Sequence, residues 1–230
     1  MRRSIAVSLV ILLAAAAVPS TCRAERGWAG GHFDIAGLRG DFGTQVGRNG
    51  YGLSGEGFVQ IGRESPLALG LRAGWMNHGH ESERVPLSPT VPGVWVNLDR
   101  DNNLVIGQLV LRLQMWQGDV RPYGEAFIGL NYLYTKTSVS AENTGVEFAG
   151  SNNWNDTAFA WGAGGGVLLR IARAKGNPVF IDLGAALVNG GRAQYLAEGD
   201  VQIVDDRLVY YLHDSYTDYV LWRVGVVVAF

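Results

Sequence analysis

The sequence predicts an all-β fold, an eight-stranded antiparallel up-and-down β-barrel that crosses a membrane. Three observations predict it. Segments of about ten residues alternate apolar and mixed side chains, the length a tilted strand needs to span a bilayer. The connections between them alternate short and long, as short periplasmic turns and long extracellular loops do in such barrels. The apolar residues, 47% of a chain with 32 glycines and 7 tryptophans, fall singly rather than in helical stripes.

The chain opens with an export signal. Arg2 and Arg3 precede the apolar run from Ile5 to Val18, which is followed by Pro19, Ser20, Thr21, Cys22, Arg23 and Ala24. That charged, apolar, small-residue order is a secretory signal peptide, with cleavage expected after Ala24. The run is too short for a spanning helix, and no later segment supplies one. A lipid anchor on Cys22 is the other reading, although Pro19, Ser20 and Thr21 lack the usual preceding pattern. The domains expected are therefore residues 1–24 as signal peptide and 25–230 as barrel. Cys22 is the only cysteine, so the exported part forms no disulfide. Without Arg2, Arg3 and Arg23 its net charge is about −5, and no nucleic-acid partner is expected.

The first strand is read within Gly30 to Gly43, where Phe33, Ile35 and Gly37 alternate with His32, Asp34 and Ala36 until Arg39 and Asp41 break the pattern. The second begins near Tyr51 and opposes Leu53, Val59 and Ile61 to Ser54, Glu56, Phe58 and Gln60. The third sets Leu67, Leu69, Leu71, Ala73 and Trp75 against Ala68, Gly70, Arg72 and Gly74. The fourth sets Leu109, Leu111, Leu113 and Met115 against Gln108, Val110, Arg112 and Gln114. The fifth, opened by Pro122, alternates Ala126, Ile128, Leu130, Tyr132 and Tyr134 with Tyr123, Glu125, Phe127, Gly129 and Asn131. The sixth alternates Phe159, Trp161, Ala163, Val167 and Leu169 with small residues and Arg170, where glycines suit a tightly curved wall. The seventh opposes Val179, Ile181, Leu183, Ala185 and Leu187 to Phe180, Asp182, Gly184 and Ala186.

Short connections at 64–66, 116–122 and 172–178 alternate with long ones at 77–103, 136–156 and 189–217. Eight strands with both ends in the periplasm follow from that parity. Strand-like pieces inside the long loops, Val94 to Leu98, Val201 to Ile203 and Leu208 to Leu212, read as hairpin arms above the membrane. Counting them in the wall would give ten strands.

The last segment alternates Val220, Trp222, Val224, Val226, Val228 and Phe230 with Tyr219, Leu221, Arg223, Gly225, Val227 and Ala229. Its end resembles the C-terminal insertion signal of bacterial outer-membrane proteins. The resemblance implies Arg223, Gly225, Val228 and Phe230 as positions read by the barrel-assembly machinery. With the signal peptide and strand pattern, the chain resembles the small outer-membrane barrels related to the transmembrane domain of outer membrane protein A. Unlike in the two-domain members, no peptidoglycan-binding domain is expected beyond the barrel, so wall attachment is not implied. The resemblance places the chain in the bacterial outer membrane, with lipid and lipopolysaccharide as its surroundings.

Parity assigns Glu56, Glu125 and Asp182 to the lumen with Arg72, Arg112 and Arg223, and adds Asp34 and Arg170 at the margin. Charges confined to so narrow an interior either pair into a structural plug or set the selectivity of a thin pore. His213 and Ser215 resemble the His-x-Ser pair of lipid A deacylases, but Tyr216 stands where those enzymes carry Asn, and no Glu follows. No catalytic residue is expected. His78, His80 and Glu81 carry metal-ligand chemistry, but on a polar loop they read as solvated groups, and no metal or cofactor is expected.

Trp75, Trp161, Trp222, Tyr132 and Tyr134 read as an interfacial girdle. Trp95, Phe148, Trp154, Tyr195, Tyr210, Tyr211 and Tyr216 either pack the loops together or form an adhesive surface. The functional expectation is a non-enzymatic outer-membrane barrel displaying surface loops, structural or adhesive in role. A small pore for small or hydrophobic solutes is the alternative, and a lipid A-modifying enzyme the third.

Overall fold

The structure, a computed structural model, describes residues 27–62, 65–86, 95–141, 147–174, 176–196, 201–204, 207–210 and 212–230. The expected signal peptide lies outside them. Eight strands close a barrel. They are β1 (Gly27–Leu38), β2 (Gly50–Gln60), β3 (Leu67–Pro86), β4 (Trp95–Gln114), β5 (Val120–Ala141), β6 (Glu147–Ala174), β7 (Asn177–Gly190) and, near the chain end, β12 (Tyr219–Ala229). Every neighbour is antiparallel and sequential, except at the seam, where β12 lies between β7 and β1. The wall thus has eight strands, not ten.

Period-2 alternation decides which way each strand faces. Glu56, Arg72, Arg112, Glu125, Asp182 and Arg223 are buried, while Leu53, Leu71, Leu109, Ile128, Trp161 and Trp222 stand exposed around the outside. A one-residue slip in any strand would exchange these two sets. So large a contiguous apolar band is not tolerated in water, whereas lipid is its natural solvent. The described chain has no helix long and apolar enough to span a membrane; it crosses with strands.

Closure rests on the first strand, which begins earlier than the Gly30 expected from the sequence. It runs from Gly27 to Leu38 and pairs with β12 from Trp28↔Ala229 to Leu38↔Tyr219. Gly27 and Phe230 add reciprocal backbone hydrogen bonds of 3.0 and 2.8 Å. Glycine permits this seam to close. A Cβ on Gly225 would lie 2.3 Å from the His32 ring and 2.4 Å from the Gly31 carbonyl.

The wall is lopsided. β1, β2 and β12 have 11 or 12 residues, barely enough to span a bilayer, whereas β3 and β4 have 20, β5 has 22 and β6 has 28. Their surplus of about ten residues, at roughly 3.3 Å each and tilted, lifts one side of the wall about 25 Å above the membrane. Much of the sequence expected as long loop is therefore ordered strand. Residues 79–86 pair with 95–102, and 135–140 with 147–154. Val94 to Leu98, expected as a separate arm, is continuous with the wall strand from Trp95 onward.

The long connection between β7 and β12 forms two nested ribbons. β8 (Arg192–Tyr195) pairs with β11 (His213–Tyr216), and β9 (Val201–Val204) with β10 (Arg207–Tyr210), placing the expected arm outside the wall. The sequence did not suggest α1 (Gly40–Val46), a short helix between β1 and β2 that ends on Gly47 at φ 68°. Its Phe42 and Val46 are buried, so this connection closes inward over the low side of the mouth. At the periplasmic end, the short turns contain Gly62, Gly118 and Gly176, each at positive φ, a conformation glycine adopts without steric cost.

A buried charge knot in the barrel lumen

Strand register builds the site. Glu56 lies directly across from Arg72 on β2 and β3, and Arg112 directly across from Glu125 on β4 and β5. Arg223 comes from β12 on the far wall. All three guanidiniums converge on the same two carboxylates. Arg72 donates to Glu56 at 3.0 Å and Glu125 at 2.8 Å. Arg112 donates to Glu56 at 2.9 Å and Glu125 at 2.8 Å. Arg223 donates to Glu56 at 3.0 Å and Glu125 at 2.8 Å. The ionised side chains are completely shielded from solvent.

Burying five ions would be prohibitive without such mutual compensation. Asp182 makes the third acid. It accepts from the Tyr123 hydroxyl at 2.8 Å and meets His32 Nε2 at 2.9 Å. Tyr123 links the two groups by also accepting from Arg223 at 3.4 Å. Gln108 takes a further Arg72 donor at 3.1 Å. Aromatic faces complete the cage, with the Arg112 guanidinium 4.0 Å from the Phe58 centroid and 4.1 Å from that of Tyr123.

The marginal lumen residues behave differently. Asp34 is fully buried, yet neither carboxylate oxygen accepts a hydrogen bond of ordinary geometry, although the Ser54 side chain lies alongside it. Arg170 does not join the knot. Next to a β-bulge near the end of β6, it pairs instead with Asp119 of the periplasmic turn. His32, Tyr123 and Gln108 were not singled out from the sequence, although their parity already placed them on the lumen face.

Two further layers close the lumen. On the periplasmic side Trp28 stacks on Phe58 at 5.0 Å and meets Trp116 edge-on at 4.9 Å. On the outer side Phe42 of α1 packs edge-on to Tyr195 at 4.8 Å and His78 at 5.6 Å. Tyr195 in turn bonds Gln45 of α1 and lies 2.8 Å from the Ser215 hydroxyl.

That places Ser215 in a structural contact. Its hydroxyl is buried against Tyr195 and directed to the Tyr216 carbonyl, and the His213 ring stacks on Tyr195. His78, His80 and Glu81 lie on strand β3 rather than on a loop, and they diverge. A bulge between Asn77 and Gly79 turns His78 inward, while His80 pairs with Asp101 and Glu81 with Arg100. His32, Glu56 and Asp182 do bring three ligand-type atoms within 4.8 Å of one another. The three guanidiniums already engage Glu56 and would repel a cation, so this trio suits a hydrogen-bonded knot rather than a metal.

Trp75, Trp161 and Trp222 face outward, and Trp75 Nε1 donates to the Tyr134 hydroxyl at 3.2 Å. Among the loop aromatics, Trp154 donates to the Gln194 carbonyl at 3.2 Å, Trp95 stacks with Arg84, Tyr195 is buried and Tyr216 is exposed. Tyr211 and the side chains of Phe148 and Tyr210 lie outside the described residues. Arg223 and Gly225 face the knot and the His32 ring, whereas Val228 and Phe230 lie on the outward face of β12.

An eight-stranded antiparallel barrel with an apolar outer band belongs in the bacterial outer membrane. Solved outer-membrane barrels are similar to this chain. Neisserial surface protein A is 14% identical with a TM-score of 0.41, covering 90% of this chain and 98% of that one. Ail, the attachment invasion locus protein of Yersinia pestis, is 14% identical with a TM-score of 0.35, covering 90% and 97%. The N-terminal β-barrel domain of Pseudomonas aeruginosa OprF is 13% identical with a TM-score of 0.40, covering 90% and 99%. No family model and no curated protein matches the sequence.

Proposed function

We propose that this barrel is a non-enzymatic display scaffold, a rigid wall that holds a strand-built surface above the outer membrane for adhesion or binding. The observation that carries the reading is the combination of a lumen filled at three levels with four strands extended far beyond the membrane. A transport barrel would spend its interior on a path for solute. Here the interior is filled by Trp28 and Phe58, then the arginine–glutamate knot, then Phe42 and Tyr195, while the chain invests its surplus length outside. The knot serves as the internal brace, and Ser215, held by Tyr195, plays no part in catalysis. Arg223, Gly225, Val228 and Phe230 remain the proposed contacts of the assembly machinery during insertion.

The test shortens the projecting part and leaves the wall intact. Replacing residues 79–102 and residues 135–154 each with a two-residue turn should abolish attachment of expressing cells to host cells or matrix. The barrel should retain the altered gel mobility of a folded barrel without heating. Unchanged attachment with the projection removed would refute the display reading.

A further inference from the structure

The outer rim steps abruptly where the low wall meets the high one. The last β2–β3 pair is Tyr51↔Asn77, so His78 is the first residue of β3 above the membrane-spanning part of that wall. The bulge between Asn77 and Gly79 turns its ring inward beneath α1. There the residue is 4% exposed, its ring meets that of Phe42 edge-on at 5.6 Å, and its Nδ1 has no hydrogen-bond partner. Bulges recur where a side chain is re-aimed for function. An apolar side chain would fill this place without an orphaned nitrogen.

The helix above the ring sits between two hinges. α1 has seven residues and no side-chain hydrogen bond at its N-cap, Arg39. Gly40 and Gly47 bound it at φ 59° and 68°, and a Cβ on either would meet nothing within 4 Å. Such positions absorb backbone rotation at little cost. A cavity of about 600 Å³ lies beside the helix, with Gly43 and Gly47 on one wall and His78 and His80 on the other. Aromatic contact holds α1 down, with Phe42 set between His78 and Tyr195 and Gln45 bonded to the Tyr195 hydroxyl. Arg48, just past the second hinge, donates to the His80 carbonyl at 3.3 Å.

The titratable and charged groups around the ring offer it no counterion. Asp41 of α1 is exposed, and Arg48 follows the helix. On β3 itself His80 pairs with Asp101 of β4, and Glu81 is engaged by Arg100. Tyr51, Tyr134, Tyr195 and His213 come from β2, β5, β8 and β11. Among the described residues no carboxylate pairs with His78, and an imidazolium formed there would be a buried, uncompensated cation. Burial lowers the ring from its ordinary 6.5 to about 4. With α1 lifted, the ring meets water and regains its ordinary value. The closed plug therefore keeps its full advantage above about pH 6.5 and loses up to about tenfold per pH unit as the pH falls toward 4. We propose that His78 is an acid-released latch, whose protonation lifts α1 and uncovers the outer mouth of the barrel. The arginine–glutamate knot and the Trp28–Phe58 layer lie below it, so the membrane stays sealed while Phe42 and Tyr195 become accessible. The latch does not depend on whether the barrel adheres to cells.

The experiment follows amide hydrogen exchange by NMR in the full exported barrel in lipid nanodiscs, with each rate corrected for the pH dependence of unprotected amides. From about pH 7.5 to about pH 5, protection of the hydrogen-bonded α1 amides of Gly43 and Gly47 should fall about tenfold or more, while the β12 amides keep theirs. His78→Gln retains a polar side chain without the titration, and should hold α1 protection constant to within about twofold. His80→Gln and His213→Gln should respond as the parent does. If His78→Gln does not fold, the parent's own His78 ring carries the test, because its carbon shifts should titrate over the pH range in which α1 protection is lost. Constant α1 protection in the parent, an equal loss in His78→Gln, or a His78 ring that titrates like a free histidine beneath a still protected helix would overturn the proposal.

Discussion

Glu125→Gln is the sharpest perturbation of the knot. Glu125 accepts from Arg72, Arg112 and Arg223, each at 2.8 Å at the closest approach, with no solvent on any of the groups. The amide keeps the volume and one acceptor oxygen, but it removes the charge and turns an NH₂ toward guanidinium donors. Three buried cations then face Glu56 and Asp182 alone. Breaking a buried pair by neutralising one partner costs about 3–5 kcal/mol. Removing both members of the directly paired Arg112 and Glu125, as in Arg112→Met with Glu125→Leu, restores charge balance, and by the same reasoning costs roughly 2 kcal/mol less than the single change. The assay is reversible urea unfolding of the barrel in lipid vesicles, followed by tryptophan fluorescence and by the gel mobility of unheated samples. A Glu125→Gln variant within about 1 kcal/mol of the parent would refute the argument, as would a double variant no better than the single one.

Other predictions rest on independent contacts. Gly225→Ala should cost about 1–3 kcal/mol because its methyl group would strike the His32 ring and the Gly31 carbonyl. Gly57→Ala, where the methyl group would meet open space, should be tolerated; equal unfolding midpoints would contradict this account of the seam. Phe42→Ala removes a fully buried ring from between Tyr195 and His78. It should loosen α1 and speed tryptic cleavage at Arg39 or Arg48, whereas an unchanged digestion rate would show that the ring does not hold the plug. Tyr195→Phe should have a similar but smaller effect by removing the hydroxyl that reaches Gln45 and Ser215.

Much of the wall was legible in the sequence because lipid and lumen make opposite demands on successive residues. In β12 both demands are met over the whole strand, with Trp222, Val224 and Val226 outward and Arg223 and Val227 inward. The same parity assigned Glu56, Arg72, Arg112, Glu125, Asp182 and Arg223 to one interior, and their convergence on two carboxylates depends on register across strands far apart in sequence. That register, and hence the place of Asp182 beside His32 and Tyr123, cannot be read from any one strand.

The surface was less legible for two physical reasons. Above the membrane no lipid enforces alternation, so polar strands such as 79–86 and 97–103 look like loop although their backbones pair fully. α1 has only seven residues, and its anchors Phe42 and Val46 are too few to stand out against a glycine-rich background. His78 and His80 look like neighbours on one face until the bulge separates them. Arg170 has the parity of a lumen residue, but it sits low enough on the wall to reach Asp119 at the turn.

The central claim is that the lumen is a brace rather than a path. Single-channel recording of the purified, folded barrel in planar lipid bilayers tests it most directly. A lumen closed by Trp28, the arginine–glutamate knot and Phe42 predicts a silent membrane across the applied voltages. Reproducible unitary openings from the parent barrel would contradict it.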